Sequence, residues 1–125
     1  MWPRRFRQPV RNQVEFRMSS IDELLPEDHR ARLVWRYVEK LDISSLVVGV
    51  HSFAGSGGAP TTDPRILLAL WLFAILDGIG SARELARLCE RDHAYQWICG
   101  GVTVNYHSLS DFRNNAGPFL DDLLT

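Results

Sequence analysis

The fold is decided by residues 63–78, DPRILLALWLFAILDG, which carry the strongest helix signals in the chain. An Asp at the N-cap accepts a backbone hydrogen bond, and the Pro after it fits the first helical position. Gly78 marks the end, so the pattern predicts a helix over 65–77. Apolar side chains run all the way round this helix. We therefore expect a buried central helix, with Trp71 and Phe73 as its largest core residues.

A second helix is predicted N-terminal to the central one, over 26–41. Pro26 fits the first helical position, and the helix dipole favours the two acidic residues that follow it. Apolar residues then recur at i, i+1, i+4, i+5 and i+8, which places them on one face of a helix. This predicted core face consists of Leu33, Val34, Tyr37, Val38 and Leu41.

Further helices are predicted C-terminal to the central one. A capping-box pattern, Ser-Ala-Arg-Glu, starts a helix over 81–91. A short helix over 92–99 ends at two consecutive glycines. A second capping-box-like pattern begins at Ser108, and a Gly-Pro pair at 117–118 divides this last helix from a final segment over 119–124.

The expected fold is therefore all-α: a small domain of five or six helices with helix-turn-helix-like pairs. At most one short β segment is expected, and the stretch over 43–50 is compatible with either this strand or a helical turn. The glycine-rich loop over 52–62 is expected to be a plain connector, because the lysine that a phosphate-binding loop requires does not follow it.

The composition is that of one globular domain: 125 residues, of which 46% are apolar and 23% charged. These values exclude a disordered chain and a disulfide-dense mini-protein. The formal net charge is -1, yet positive charge is concentrated at the N-terminus. We expect an extended basic arm over 1–22 and the helical domain over 23–125. An arginine-rich arm without an apolar period is suited to lie along nucleic-acid phosphates or to enter a minor groove. The arm residues expected to make such contacts with DNA are Arg4, Arg5, Arg7 and Arg11.

Other classes of function lack their signatures. Cys89 and Cys99 have no zinc-ligand spacing and are expected to be free thiols with apolar surroundings. No carboxylate pair or nucleophile motif is present, so this chain alone is not expected to be an enzyme or to bind a cofactor or a small-molecule substrate. The longest apolar run, 66–76, is too short to span a bilayer, and there is no signal peptide. A cytoplasmic protein without a membrane partner is the expectation.

A row of arginines is the first candidate contact with nucleic acid in the helical domain. Arg83, Arg87 and Arg91 recur at i, i+4 and i+8 on one predicted helix. Like charges at this spacing repel each other in an isolated helix, so the row indicates an external anion such as DNA phosphate. The alternative is a solvated face, because Glu84 and Glu90 each lie three residues from Arg87.

The start of the last predicted helix is the second candidate contact. Polar side chains gather there, and backbone N–H groups at a helix N-terminus bind phosphate readily. The alternative is that these groups only cap the helix, with Leu109 and Phe112 in the core. The candidate contact residues are His107, Ser108, Ser110 and Arg113, of which His107 or Ser110 would read a base.

Several short motifs in this chain resemble, in the same order, those of bacterial insertion-sequence transposases of the Asp-Asp-Glu type. The resemblance covers about 24–115. It includes LPEDH at 25–29, LDIS at 41–44, DPRIL at 63–67, the spaced motif LxGxxSxRxL at 76–85, CExDxAYxWI at 89–98 and HSLSDFR at 107–113. Where the family often has Pro-Asp, this chain has Asn105-Tyr106.

The resemblance implies a helical domain N-terminal to a ribonuclease-H-like catalytic domain, which cuts and rejoins transposon ends with two divalent metal ions. The family's three catalytic carboxylates match no position here, so the chain is expected to be truncated and Mg²⁺ to belong to the missing domain. The implied partner is double-stranded DNA of the terminal repeats, in the nucleoid. A homodimer is compatible with this role.

Two other functions stay open on the sequence. Large apolar side chains beside a net acidic body suit a protein-interaction module that assembles transposase subunits. The residues behind this alternative are Trp71, Phe73, Trp97 and Phe119. The second alternative is an inactive, truncated remnant of a transposase, which would show the same sequence motifs.

Overall fold

The computed structural model of the chain describes residues 6–7, 21–44 and 61–124. Seven helices and two strands of two residues have their bounds within these ranges. In chain order they are β1 (Phe6–Arg7), α1 (Ile21–Leu24), α2 (Arg30–Lys40), β2 (Thr61–Thr62), α3 (Pro64–Leu76), α4 (Ala82–Arg91), α5 (His93–Cys99), α6 (Tyr106–Asn115) and α7 (Gly117–Leu124). The predicted all-α fold is confirmed. The described part contains one helix more than expected, because α1 was not predicted.

The centre of the fold is α3, as its apolar circumference predicted. Ten of its 13 residues are buried, including Trp71 and Phe73. Oδ1 of Asp63 accepts a backbone N–H of the first turn at 2.9 Å, which is the predicted N-cap. The Trp71 indole N–H donates to the carbonyl oxygen of Leu109 at 2.9 Å, so α3 and α6 are tied together. Across the described ranges, no helix combines the length and the apolar character that a membrane crossing needs.

The predicted start of α2 was wrong by four residues. Pro26 begins a turn, in which the His29 backbone N–H donates to the Pro26 carbonyl at 3.2 Å. The N-cap is His29, whose Nδ1 accepts the N–H of Ala31 at 3.0 Å. Nε of Arg32 donates to the same Pro26 carbonyl at 2.9 Å. This side-chain bond stabilises the turn, so the helix begins only at Arg30.

The predicted core face of α2 was right for Val34 and Val38, which are buried, and wrong for Leu33 and Tyr37. Leu33 and Tyr37 are 53% and 47% exposed, although both were expected in the core. Arg32 and Trp35 are buried instead. Because Arg32 faces inward to reach its hydrogen-bond acceptors, the helix turns Leu33 and Tyr37 toward solvent.

Arg32 is a buried arginine that fastens α1 onto α2. Its guanidinium donates to Oδ1 of Asp22 at 3.0 Å and to the Asp22 carbonyl at 2.7 Å. A further bond goes to the carbonyl of Leu25 at 2.8 Å. The Trp97 indole N–H donates to the same Oδ1 at 2.8 Å, and Arg32 Cζ lies 4.9 Å from the Trp97 ring centroid. One network therefore joins α1, α2 and α5.

The ends of α4 and α5 follow the predicted signals. Ser81 caps α4 by accepting the backbone N–H of Glu84 at 3.2 Å. Asp92 ends α4 and is at the same time the N-cap of α5. Gly100 ends α5 with φ of 58°, a left-handed conformation that glycine adopts without steric cost.

The N-cap of α6 lies three residues before the predicted one. Asn105 is its N-cap, with Oδ1 accepting the backbone N–H of Ser108 at 2.9 Å. Asn caps a helix as well as Ser does. The capping box predicted at Ser108 was therefore wrong, and Ser108 lies inside the first turn. The helix packs against α4.

A short parallel pairing of β1 with β2 was not predicted. It places one stretch of the predicted arm, Phe6–Arg7, beside the N-terminus of α3. Of the β segment expected within 43–50, only residues 43–44 are described, and they contain no strand. The connector expected over 52–62 is described only at β2, so its remaining residues lie outside the described part.

Candidate nucleic-acid interface

The structure places the three arginines of α4 toward solvent. Leu85 is the fully buried residue of this helix, and Arg83, Arg87 and Arg91 are all exposed. Their environments differ, and the difference decides which of them is available to an anion.

Arg83 stacks on the first residue of α6. Its Cζ lies 4.2 Å from the ring centroid of Tyr106, and its Nη2 donates to the Tyr106 hydroxyl at 3.1 Å. Among the residues that the structure describes, no carboxylate lies within ion-pair distance of Arg83. The stacking restrains the guanidinium, and no carboxylate within the described ranges compensates its charge, an arrangement that suits a phosphate ligand.

Arg87 is already neutralised by Glu84. The two side chains form an ion pair at 2.6 Å across one turn of α4. The pair is exposed, so its contribution to stability is small, about 0–1 kcal/mol. A phosphate would nevertheless compete with Glu84 for this arginine. The solvated-face alternative therefore fits Arg87 better than Arg83.

The first turn of α6 presents an aromatic pair beside Arg83. The rings of Tyr106 and His107 have centroids 4.1 Å apart, and His107 is exposed. The backbone N–H of Ser108 is occupied by Asn105, so this helix end has one donor fewer for an anion than predicted. The side chains, more than the backbone donors, define the surface here.

Arg113 is a second stacked arginine on α6. Its Cζ lies 5.0 Å from the ring centroid of Trp71, and its residue is exposed. Tyr106, Ser110 and Arg113 are spaced i, i+4 and i+7, so they lie on one face of the helix. Tyr106, on which Arg83 stacks, and Arg113 are thus about 10 Å apart along the axis of α6. We name the surface formed by Arg83, Tyr106, His107, Ser110 and Arg113 the stacked-arginine face.

The stacked-arginine face contains most of the candidate residues of the helical domain. The contact that joins its two helices depends on Tyr106, which was not among the predicted residues. The sequence signal that could have identified Tyr106 is its aromatic side chain directly before the candidate His107. That signal was missed because the helix was expected to start at Ser108. Ser108 itself is half-buried.

The arm residues mostly lie outside the described part of the chain. This applies to Arg4, Arg5 and Arg11. The backbone of Arg7 lies in β1, paired with β2. Contact between the arm and DNA stays a prediction.

The aromatic residues behind the protein-interaction alternative belong to the core. Trp71, Phe73 and Trp97 are 1%, 2% and 5% exposed, and Phe119 is half-buried against the same core. Trp71, Phe73 and Trp97 are therefore not available to a partner, so three of the four residues behind that alternative do not support it.

Neither a metal centre nor a reactive thiol is evident in the described ranges. They contain no group of three or more His, Cys, Asp or Glu side chains that could hold a metal ion. Cys89 and Cys99 are free, with Cys99 buried and Cys89 half-buried. The hydrogen bond with Cys99, together with burial, raises the pKa of the Cys89 thiol. A protonated thiol is a poor nucleophile and a poor metal ligand.

The fold and this surface define a class: a small all-α domain with two aromatic-stacked arginines on neighbouring helices. The family model described as Transposase domain (DUF772) matches residues 19–115, from just before α1 to the end of α6. The chain therefore belongs to this transposase-domain family and has a transposase-related role. No curated protein and no solved structure matches it.

Proposed function

We propose that this chain is the N-terminal, DNA-binding part of an insertion-sequence transposase of the Asp-Asp-Glu type. Its ligand is the double-stranded DNA of the transposon's terminal repeats. In this proposal the chain is not catalytic by itself, and the Mg²⁺ ions belong to the catalytic domain. The described residues do not fit a metal ion, since they offer no group of three candidate ligands.

The observation that carries the proposal is the state of Arg83. Its guanidinium is exposed, has no carboxylate partner in the described ranges, and is stacked on Tyr106. A guanidinium held in this way loses less conformational freedom when it binds phosphate than a mobile one. The family match covers both Arg83 and Tyr106, which supports a role in transposition.

Arg113 and the arm extend the same interaction. Arg113, on α6, is a second exposed arginine whose guanidinium stacks on an aromatic ring. The arm contributes Arg4, Arg5 and Arg11 as well as Arg7, and arginine-rich arms lie along phosphates or enter the minor groove. Phosphate contacts fix the position of the protein on the duplex but do not select a sequence. Sequence preference would come from His107 or Ser110 on the exposed turn of α6.

Fluorescence anisotropy with a labelled terminal-repeat duplex tests the proposal. We expect affinity to fall steeply between about 50 and 200 mM salt, because phosphate contacts release counterions. Arg83→Ala should weaken binding to all sequences alike and reduce the salt slope by about one. Arg36→Ala is the matched control, since it removes an exposed arginine from α2 and should leave binding unchanged.

A combined variant provides the decisive comparison. It lacks residues 1–20 and carries Arg83→Ala and Arg87→Ala. Circular dichroism would check that it remains helical. Unchanged affinity in this folded variant would show that the basic groups are only solvated surface. Equal affinity of the intact chain for terminal-repeat and random duplexes would remove the specificity claim. An absence of any binding would favour an inactive remnant.

A further inference from the structure

A cavity of about 500 Å³ lies between α4, α5 and the segment that joins α5 to α6. Ala86 of α4, Gln96 of α5 and Val102 of the joining segment line it, and so does Tyr106 at the start of α6. Ligand sites in proteins have volumes of about 300–1,000 Å³. The cavity is therefore large enough for a small organic group.

The wall of the cavity is apolar with a few polar groups. Val102 and Val104 are buried, and Ala86 is half-buried on the opposite helix. Gln96 and Asn105 add amide groups to this wall. Such a wall suits a ligand that is mostly apolar and is oriented by a small number of hydrogen bonds.

The Gln96 amide has one group without a partner. Its Nε2 donates to the carbonyl oxygen of Glu90 at 2.7 Å, which fixes the orientation of the amide. Its Oε1 is buried and accepts no hydrogen bond from the described part of the chain. Because buried acceptors are almost always paired, this oxygen in the cavity wall indicates a donor that comes from outside the chain.

The cavity adjoins the stacked-arginine face through Tyr106. This residue lines the cavity, and its ring lies 4.2 Å from Cζ of Arg83. An anion bound by Arg83 is therefore held beside the cavity. A nucleotide combines the two features that this arrangement requires, since it joins a phosphate to a flat base that carries hydrogen-bond donors.

We propose that the cavity is a nucleotide subsite, in which the cavity holds the base and Arg83 binds the phosphate. Oε1 of Gln96 accepts a hydrogen bond from the amino group of the base. Adenine and cytosine carry such an amino group, whereas the corresponding group of thymine is an acceptor. The subsite therefore prefers adenine or cytosine to thymine.

The nucleotide has two possible sources, an unpaired nucleotide of bound DNA or a free mononucleotide. In the first case the inference rests on the DNA-binding function proposed above. Taking a base out of a duplex costs its pairing and stacking energy, and this cost is smallest for a base that is already unpaired. The subsite then favours duplexes that contain an unpaired nucleotide.

Fluorescence anisotropy with the full chain tests the first source. Three labelled duplexes differ at one position only: one is fully paired, one carries an extra unpaired adenine, and one carries an unpaired abasic residue. The abasic duplex is as interrupted as the adenine duplex but offers no base. We expect the adenine duplex to bind about fivefold or more tightly than the abasic one. An unpaired thymine should bind several-fold more weakly than adenine.

Substitutions in the cavity wall connect this preference to the subsite. Ala86→Leu fills the cavity, so it should abolish the preference for unpaired adenine and leave the affinity for the fully paired duplex unchanged. Ala82→Leu is the matched control, because Ala82 lies one turn earlier on α4 and does not line the cavity. Gln96→Leu should remove only the discrimination between adenine and thymine. Circular dichroism checks that each variant remains folded.

Calorimetric titration with adenosine monophosphate tests the second source. Binding that both Arg83→Ala and Ala86→Leu abolish, without a preference among the duplexes, would assign the subsite to a free nucleotide. Equal affinity for the three duplexes together with no binding of the mononucleotide would overturn the proposal. So would a preference for unpaired adenine that Ala86→Leu retains. If no duplex binds at all, the DNA-binding function is refuted, and the mononucleotide titration alone decides whether the subsite exists.

Discussion

Replacement of Arg32 by alanine should be among the most damaging single changes in the described part of the chain. Arg32 is 8% exposed, and its guanidinium makes hydrogen bonds to Pro26, to Leu25 and to both the carboxylate and the carbonyl of Asp22. Breaking a buried, hydrogen-bonded ion pair costs about 3–5 kcal/mol, because the remaining groups lose their partner. Asp22 is partly exposed, so water can replace some of these bonds and the lower half of that range is expected.

Urea unfolding followed by far-UV circular dichroism measures this loss. For a chain of this length, this loss of unfolding free energy corresponds to a fall in Tm of roughly 10–15 °C. Arg36→Ala on the exposed side of the same helix should change stability by less than about 0.5 kcal/mol. Arg32→Lys should be intermediate, because one ammonium group cannot reach all four acceptors. Equal stability of Arg32→Ala and Arg36→Ala would refute the role given to this network.

Three further outcomes are expected. Asp63→Ala should cost about 1 kcal/mol of unfolding free energy through loss of the α3 N-cap, whereas Asp63→Asn should retain most of it, as thermal melts would show. Gly100→Ala should cost about 1 kcal/mol because φ is positive there, and Gly80→Ala, which meets nothing within 4 Å, is the neutral control. Iodoacetamide at pH 8 should alkylate Cys89 more slowly than a free cysteine, because its pKa is raised. Cys99→Ala should speed that reaction, and an unchanged rate would contradict the hydrogen bond between the thiols.

The sequence predicted best those elements whose signals are local. For α3, the Asp63 cap, the proline after it and the terminal Gly78 all act within one turn of the helix ends, and the structure contains each of them. The ends of α4 and α5 were predicted for the same reason. The short pairing of β1 with β2 was not, because it joins residues more than 50 positions apart without a run of strand-forming residues.

The orientation of α2 could not be predicted from its own residues. Leu33 and Tyr37 are as apolar as Val34 and Val38, so periodicity alone assigns all four to the core. Which of them is buried depends on Arg32, whose acceptors lie in segments before the helix. Arg32 lies one turn from Trp35 on the apolar side of α2, which indicates a buried arginine. This indication can be interpreted only when α1 is in place, because Asp22 of α1 supplies two of its acceptors.

The candidate site was predicted in part for similar reasons. The exposure of Arg83 and Arg87 follows from the helical period of α4, which buries Leu85. The difference between the two arginines does not follow from that period. It arises from the packing of α4 on α6, which brings Tyr106 against Arg83 and leaves Arg87 to Glu84. Two equivalent charges in the sequence therefore become one arginine that is anchored on an aromatic ring, with no carboxylate partner among the described residues, and one that is paired with its neighbour Glu84.

The buried network and the exposure of Leu33 and Tyr37 have a common origin in the rotation of α2. If α2 were turned by one residue, Leu33 and Tyr37 would enter the core, but Arg32 would lose its acceptors. Fully burying a large apolar side chain stabilises by about 1.5–3 kcal/mol, and these two are already about half-buried. The remaining gain from both together is thus about 1.5–3 kcal/mol, which is less than the about 3–5 kcal/mol lost with the network, and the repacking of Trp35 adds to that loss. The observed rotation keeps the network intact and leaves Leu33 and Tyr37 exposed at the surface.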